Sequence, residues 1–285
     1  MLRNPTSKNT KQFIKKQSLK HDKGSNVHEQ LYDSFNKNLD FLKRLNKILS
    51  KALIDYQKFN FTKEDIQKLD INELLELKEI RAALMTLSQQ EASKRSIKIK
   101  SKKVSRLVIN KFINALQASM INEFIREMSL VYIITVFEQY LSDVLRFTLK
   151  VKPEIMKSSK KQITYEELFS FKDFDKIKEK IAEREINSII SQDIENVNSN
   201  LKKRFNLNLS NNQYWSKFKE YFYRRHIIIH NNGCPDEKYR TKTGYKGKQK
   251  KLSITKHYLS TGIKLFEDYS MTIHGFFLKN FVSHS

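Results

Sequence analysis

Apolar side chains recur at three- and four-residue steps over most of this chain. Leu31, Phe35, Leu39, Leu42, Leu45, Leu49, Leu53 and Tyr56 define one face of a long amphipathic helix that ends around Phe59 to Phe61. Thr62 then stands where a cap is needed, with Glu64 and Asp65 in the first turn, where the helix dipole favours carboxylates. Ile66, Leu69, Leu74, Leu77, Ile80 and Leu84 supply the inward side of that second helix, so residues 25–92 predict a helical hairpin. Residues 93–103 are polar, basic and serine-containing, with Ile97 and Ile99 their only apolar points, and predict a linker.

A second helical body runs over 104–285. Its central helix carries Leu130, Ile133, Phe137, Tyr140, Leu141, Val144 and Thr148 on one broad stripe and is stopped by Pro153. Glu138 sits in the most apolar part of that stripe, which makes it a candidate for a specific contact, although a solvated carboxylate beside the stripe would fit the same pattern. Further helices are expected over Tyr165 to Phe171, Asp173 to Gln192 and Ile194 to Phe205, with a polar turn over Asn206 to Asn212. A helix follows with Trp215, Phe218, Phe222 and Ile229 on its apolar face, then a polar loop over 231–251. Leu259, Ile263, Phe266, Ile273, Phe277 and Phe281 mark the last helix. No alternating strand pattern of useful length occurs, so the expected fold is all-α. Residues 1–24 have almost no apolar periodicity and predict a basic disordered tail.

Composition narrows the chemistry. Glycine numbers 6 in 285 residues, and none lies between Gly24 and Gly233. Loops that bring backbone amides close to phosphate need glycine at fixed spacings, so P-loop and dinucleotide-binding chemistry is excluded. The lone Cys234 makes no disulfide within one chain and fits a reducing cytoplasm. The longest apolar run, Leu130 to Phe137, is far shorter than the roughly 20 residues of a membrane span, and the N-terminus lacks an apolar signal segment. A soluble, cytoplasmic protein without a membrane partner is expected. The formal charge of +23 favours a polyanion, RNA first, through counterion release. Residues 3–23 hold seven Lys or Arg against one Asp, and residues 94–111 hold eight with no acid.

One stretch concentrates candidate chemistry: Arg224-Arg225-His226-Ile227-Ile228-Ile229-His230, stopped by Asn231-Asn232-Gly233 and Pro235. His230 should lie in or near the last helical turn, where the dipole favours imidazolium, and His226 one turn earlier on the same face. Arg225 is offset from His230 by about 140° at roughly 100° per residue and reaches with a long side chain. A guanidinium that binds phosphate oxygens beside two imidazoles that move protons is a phosphodiester-cleaving set. The same residues also suit a basic helix end made for dipole reasons, or a clamp that holds phosphate without cutting. His-x-x-x-His matches the spacing of zinc proteases, but Ile227 replaces their glutamate and no third ligand is evident, so neither metal nor cofactor is expected.

The block resembles the Arg-polar-x-x-x-His signature of the HEPN superfamily of all-helical ribonucleases and nucleotide-binding domains, with Arg225, His226 as the polar residue, and His230. The order and spacing of "LVYIITVFEQYLSDVLR", Pro153-Glu154, "ITYEELFSF" and "RRHIIIHNNGCPDEKY" are similar to bacterial HEPN families, over about residues 104–285. The resemblance implies a HEPN-like bundle, preceded here by the hairpin and tail, acting as a metal-independent endoribonuclease. Two protomers would pair their motif helices into a composite site. There the substrate 2'-hydroxyl would attack phosphorus, with His230 transferring protons, Arg225 neutralising charge and His226 orienting. Arg224, Asn231, Asp236, Tyr239 and Glu138 are secondary, substrate-binding candidates. The family association is with toxins or antiviral defence effectors, with an antitoxin or defence protein as partner. Toxins paired with nucleotidyltransferase antitoxins usually carry Tyr two residues after the motif His, whereas Asn232 stands here. The second reading is a noncatalytic HEPN-like module that binds nucleotide or nucleic acid.

Overall fold

The computed structural model describes residues 7–57, 61–86, 98–158, 162–171 and 173–282. Every regular element among them is helical, and the fold is all-α. The helices are α1 (Ser7–Gln57), α2 (Lys63–Gln67), α3 (Ile71–Thr86), α4 (Lys102–Val151), α5 (Tyr165–Phe169), α6 (Phe174–Ile190), α7 (Ile194–Phe205), α8 (Trp215–Asn231), α9 (Glu237–Thr243) and α10 (Lys256–Phe277). Backbone contacts divide the chain into one compact unit of Met1–Arg44 with Arg126–Ser285 and another of Leu45–Ile125. Both α1 and α4 contribute to each unit, whereas the sequence pattern places the division in a linker over 93–103.

In the first unit α4 is the central helix. Leu130, Ile133, Ile134, Phe137, Leu141, Val144 and Leu145 are buried along it. Phe137 meets Phe218 of α8 and Phe266 of α10 edge-on, with ring centroids at 5.4 and 5.2 Å, and Phe218 stacks on Tyr269 at 3.7 Å. Burying each such ring contributes about 1.5–3 kcal/mol, and edge or offset contacts add to it. Glycine has one steric use here. A Cβ at Gly262 would come within 2.6 Å of the Tyr221 ring, so α8 and α10 approach closely only because position 262 has no side chain. Tyr221 completes that contact by donating its hydroxyl to the Tyr258 carbonyl at 2.8 Å.

Part of the expected stripe on α1 is buried in the first unit. Phe35, Leu39 and Leu42 join the core formed by α4, α6, α7, α8 and α10. In the second unit Leu77 and Ile80 of α3 pack instead on Val104 at the start of α4, with Phe61, Leu69 and Ile99 beside them. The expected second helix is two. Thr62 caps α2 through a reciprocal capping box with Asp65, and the chain breaks before α3, where Asp70 and Glu73 exchange backbone and carboxylate hydrogen bonds. Residues 7–24, read as tail, have helical backbone. Residues 1–6 of that tail and 87–97 of the expected hairpin end and linker lie outside the described residues. Among the described residues one helix, α4, is long and apolar enough by composition to cross a membrane, and half of its most apolar window is buried in the protein.

Candidate active site

The Arg-His stretch lies on the second half of α8, and the stop predicted for it forms. Asn232 and Gly233 both adopt left-handed backbone, at φ 48° and 75°. The Gly233 amide donates to the Ile227 carbonyl at 2.9 Å, closing the helix end. Asn231 supports that turn with its side-chain amide on the Cys234 carbonyl at 2.7 Å. Asp236 caps α9 by accepting from the Tyr239 amide at 2.7 Å. The helix α9, inside the segment read as loop, folds back on α8. Tyr239 and Leu252 bury Tyr223 and Ile227 there, while Ile228 enters the main core. Ile229, expected on the apolar face, is instead exposed, because the neighbours of α8 cover the sides carrying 223, 227 and 228 and leave the 225-226-229-230 side open.

That open side forms one wall of a cavity of about 240 Å³ lined by Glu138 of α4, Asp193 and Ile194 at the start of α7, Arg225, His226, Ile229 and His230 of α8, and Lys238 of α9. Arg225 donates through Nη1 to Glu138 Oε1 at 2.8 Å, and both side chains keep about 30% exposure. The Nε of Arg225 is buried with no hydrogen-bond partner. The imidazoles of His226 and His230 lie 4.7 Å apart between centroids. Burial holds the Glu138 carboxyl above its ordinary value, with the Arg225 guanidinium opposing the rise. Burial also lowers His226, helped by the charges of Lys238, His230 and Arg225 and opposed by Asp236.

Of the sequence candidates, Arg225, His226, His230 and Glu138 come together. Arg224 faces elsewhere. Its guanidinium is held by Glu220, with Nε and Nη2 at 2.9 and 2.8 Å, and lies over the Tyr239 and Tyr258 rings at 5.5 and 5.0 Å. Tyr239 and Tyr258 both donate their hydroxyls to Glu220. The pair is well shielded, at 11% and 18% side-chain exposure. Arg224 and Tyr239 therefore serve the packing of α9 and α10 on α8, and Asn231 and Asp236 serve helix ends; none of these four lines the cavity. Lys238 was missed by sequence reasoning, since one lysine in a lysine-rich loop carries no pattern. Asp193 was missed as well, and its visible role is the cap of α7, accepting from the Asn196 amide at 3.0 Å.

The arrangement offers a guanidinium with an unmatched donor, two imidazoles one turn apart and an ammonium at the rim, which together suit a phosphate-bearing ligand. Among the described residues no group of three or more His, Cys, Asp or Glu is placed to hold a metal ion. Comparison with protein-family models, curated proteins and solved structures gave no match for this chain.

Proposed function

We propose that this protein is a metal-independent endoribonuclease of HEPN type, cleaving RNA through 2'-hydroxyl attack. The supporting observation is the convergence of Arg225, His226 and His230 on one open cavity, with Glu138 bonded to Arg225 at 2.8 Å. A scissile phosphate between Arg225 and Lys238 meets two cations that match its nonbridging oxygens. The lowered value of His226 makes it the imidazole suited to accept the 2'-hydroxyl proton near neutral pH. The new bond joins O2' to phosphorus, the bond to O5' breaks, and His230 delivers a proton to the leaving oxygen. The products are a cyclic phosphate and a free 5'-hydroxyl. Arg225 neutralises the charge that develops on the pentacovalent phosphorus.

The family pattern further implies a homodimer whose α8 helices complete one composite site, in a toxin or antiviral defence setting. A noncatalytic binding module is the second reading. It is favoured by one observation: Glu138 already engages Arg225, as it would in an ion pair that merely ties α8 to α4. Incubation of the purified chain with mixed cellular RNA in excess chelator separates the two. Fragments ending in cyclic phosphate support the nuclease, and retarded but intact RNA supports the binding module.

A further inference from the structure

After α9 the chain forms an arm anchored at both ends. Gly244 ends α9 in left-handed backbone at φ 71°, and the Leu252 amide donates to the Gly233 carbonyl at 2.9 Å, so residues 245–251 leave α9 and return to the end of α8. Between these anchors the contacts alternate. Tyr245 packs beside Tyr239, with ring centroids at 6.0 Å, and donates its hydroxyl to Gln249 Oε1 at 3.3 Å. Its ring passes over Gly247, where a Cβ would overlap the tyrosine hydroxyl, and the Gly247 carbonyl accepts from Arg240 at 2.9 Å. Tyr245, Gly247 and Gln249 share the inward side, as alternate residues of an extended segment do. Lys246, Lys248 and Lys250 take the other side and are exposed, at steps of about 6.6 Å for an extended backbone.

The neighbouring cations are used within the fold. Lys242 pairs with Glu195, and Lys251 with Glu127 at 3.0 Å. Among the described residues, Lys246, Lys248 and Lys250 have no hydrogen bond or ion pair, and the sequence has no Asp or Glu between Glu237 and Glu267. Three like charges fixed in a row repel one another, and nothing in the fold of the arm offsets that repulsion.

We propose that Lys246, Lys248 and Lys250 form a binding site for the RNA backbone outside the Arg-His cavity, so that the substrate is a polynucleotide and not a nucleotide or dinucleotide. A row of regularly spaced ammoniums matches a polymer of regularly spaced charge, whereas a single phosphate would occupy only part of it. A lipid surface fits less well, because no large apolar side chain is exposed between Ile229 and Met271 to enter it. Both ends of the arm also return to the cavity. Lys238, at the start of α9, lines it, and Gly233 lies three residues beyond His230. Lys250 is two residues from Leu252 and so lies within roughly 20 Å of His230 by backbone steps, a few nucleotides of extended strand. The proposal deepens the ribonuclease reading and rests on it for the word substrate, so binding is measured apart from cleavage.

The test titrates a labelled single-stranded 2'-O-methyl RNA, which 2'-hydroxyl attack cannot cut, with the full chain in EDTA from low to high salt. Combining Lys246→Gln, Lys248→Gln and Lys250→Gln should weaken binding on the order of 100-fold at about 0.1 M salt. It should also flatten the slope of log K against log salt by about 2, since each phosphate contact on a single strand contributes about 0.7. Arginine at all three positions should retain both. Glutamine at Lys202, Lys203 and Lys264, exposed lysines of the same unit, should leave the slope unchanged. On cleavable RNA the arm variant should raise KM for a long strand while kcat, and the rate on a dinucleotide, stay as in the parent. If the slope flattens but no RNA is cut by the parent, the binding site stands and the ribonuclease reading fails. If RNA is cut while the arm variant binds as the parent does, the site fails and the ribonuclease reading stands. Equal loss in the control variant overturns the site by assigning the effect to overall charge. An arm variant that keeps its RNA affinity but no longer floats with phosphatidylglycerol vesicles overturns it in favour of lipid.

Discussion

Arg224 and Arg225 are neighbours in sequence with opposite expected roles, and replacing each by alanine separates them. Arg224 is 11% exposed and bonded to Glu220, which also accepts from Tyr239 and Tyr258. Arg224→Ala leaves the Glu220 carboxylate shielded with two hydroxyl donors and no cation, and removes a guanidinium lying over two rings. Breaking one side of a fully buried pair destabilises by about 3–5 kcal/mol. Because Glu220 keeps its two hydroxyls, the low end applies, about 3 kcal/mol. For a unit of roughly 200 residues that lowers Tm by about 10 °C. The partly exposed Arg225–Glu138 pair is worth no more than about 1 kcal/mol, so Arg225→Ala should melt within about 4 °C of the parent. Thermal and urea unfolding followed by circular dichroism measures both. A double-mutant cycle with Glu220→Gln should return a coupling of about 1–3 kcal/mol. If Arg225→Ala is the destabilised variant, or if Arg224→Ala unfolds like the parent, the division of labour drawn from the structure is wrong.

Glu138→Gln should keep stability within about 1 kcal/mol, since the lost ion pair is offset by relief of a buried charge, while cleavage falls on the order of 10- to 100-fold, mainly in kcat, because the Arg225 fork loses its positioning partner. The raised carboxyl also contributes stability that is present below about pH 4.5 and lost as pH rises through its folded value, because the folded state keeps the proton longer; this contribution opposes that of His28 and is measured as the difference between parent and the glutamine variant across pH. His28 is fully buried between Phe147 and Phe277, with neither ring nitrogen bonded, and burial followed by the charge of His274 lowers it to about 4. The unfolded chain then binds the proton first, so the contribution of His28 is fully present above pH 6.5 and about 3 kcal/mol of it is lost as pH falls toward 4; Glu29 and Asp33, which act on His274, lie nearby. Denaturant midpoints across pH 4 to 7 should show this slope in the parent and a flatter one in His28→Phe.

Local signals in the sequence translate directly into structure. The cap at Thr62, the bounds of α7 and the left-handed stop at Asn232 and Gly233 depend on a few adjacent residues, so they are legible without knowledge of the rest of the chain. What covers an apolar face is not local. Phe35, Leu39 and Leu42 of α1 have the period expected of a hairpin face, but they join the core around Phe137, and Ile109, Ile113, Leu116 and Met120 recur at the spacing of a core face while exposed. The same limit separates the two arginines. About 100° of helix rotation sends Arg224 toward Tyr239 and Tyr258 and Arg225 toward Glu138, and those partners arrive from three other helices. Glu138 was legible as an acid set in an apolar stripe; Lys238 was not, because α9 offers only Tyr239 as a buried anchor.

The central claim is that Arg225 and His230 cut RNA, and one experiment addresses it most directly. A short RNA is incubated with parent, Arg225→Ala and His230→Ala in EDTA, beside the same oligonucleotide carrying a single 2'-deoxy substitution at the cleaved nucleotide. Chelator-resistant cleavage by the parent is expected, with loss of at least about 100-fold in each variant at unchanged helicity, and no cut at the deoxy position, since the nucleophile is gone. Cleavage that needs added metal, equal cutting of the deoxy substrate, or full activity in either variant would contradict it.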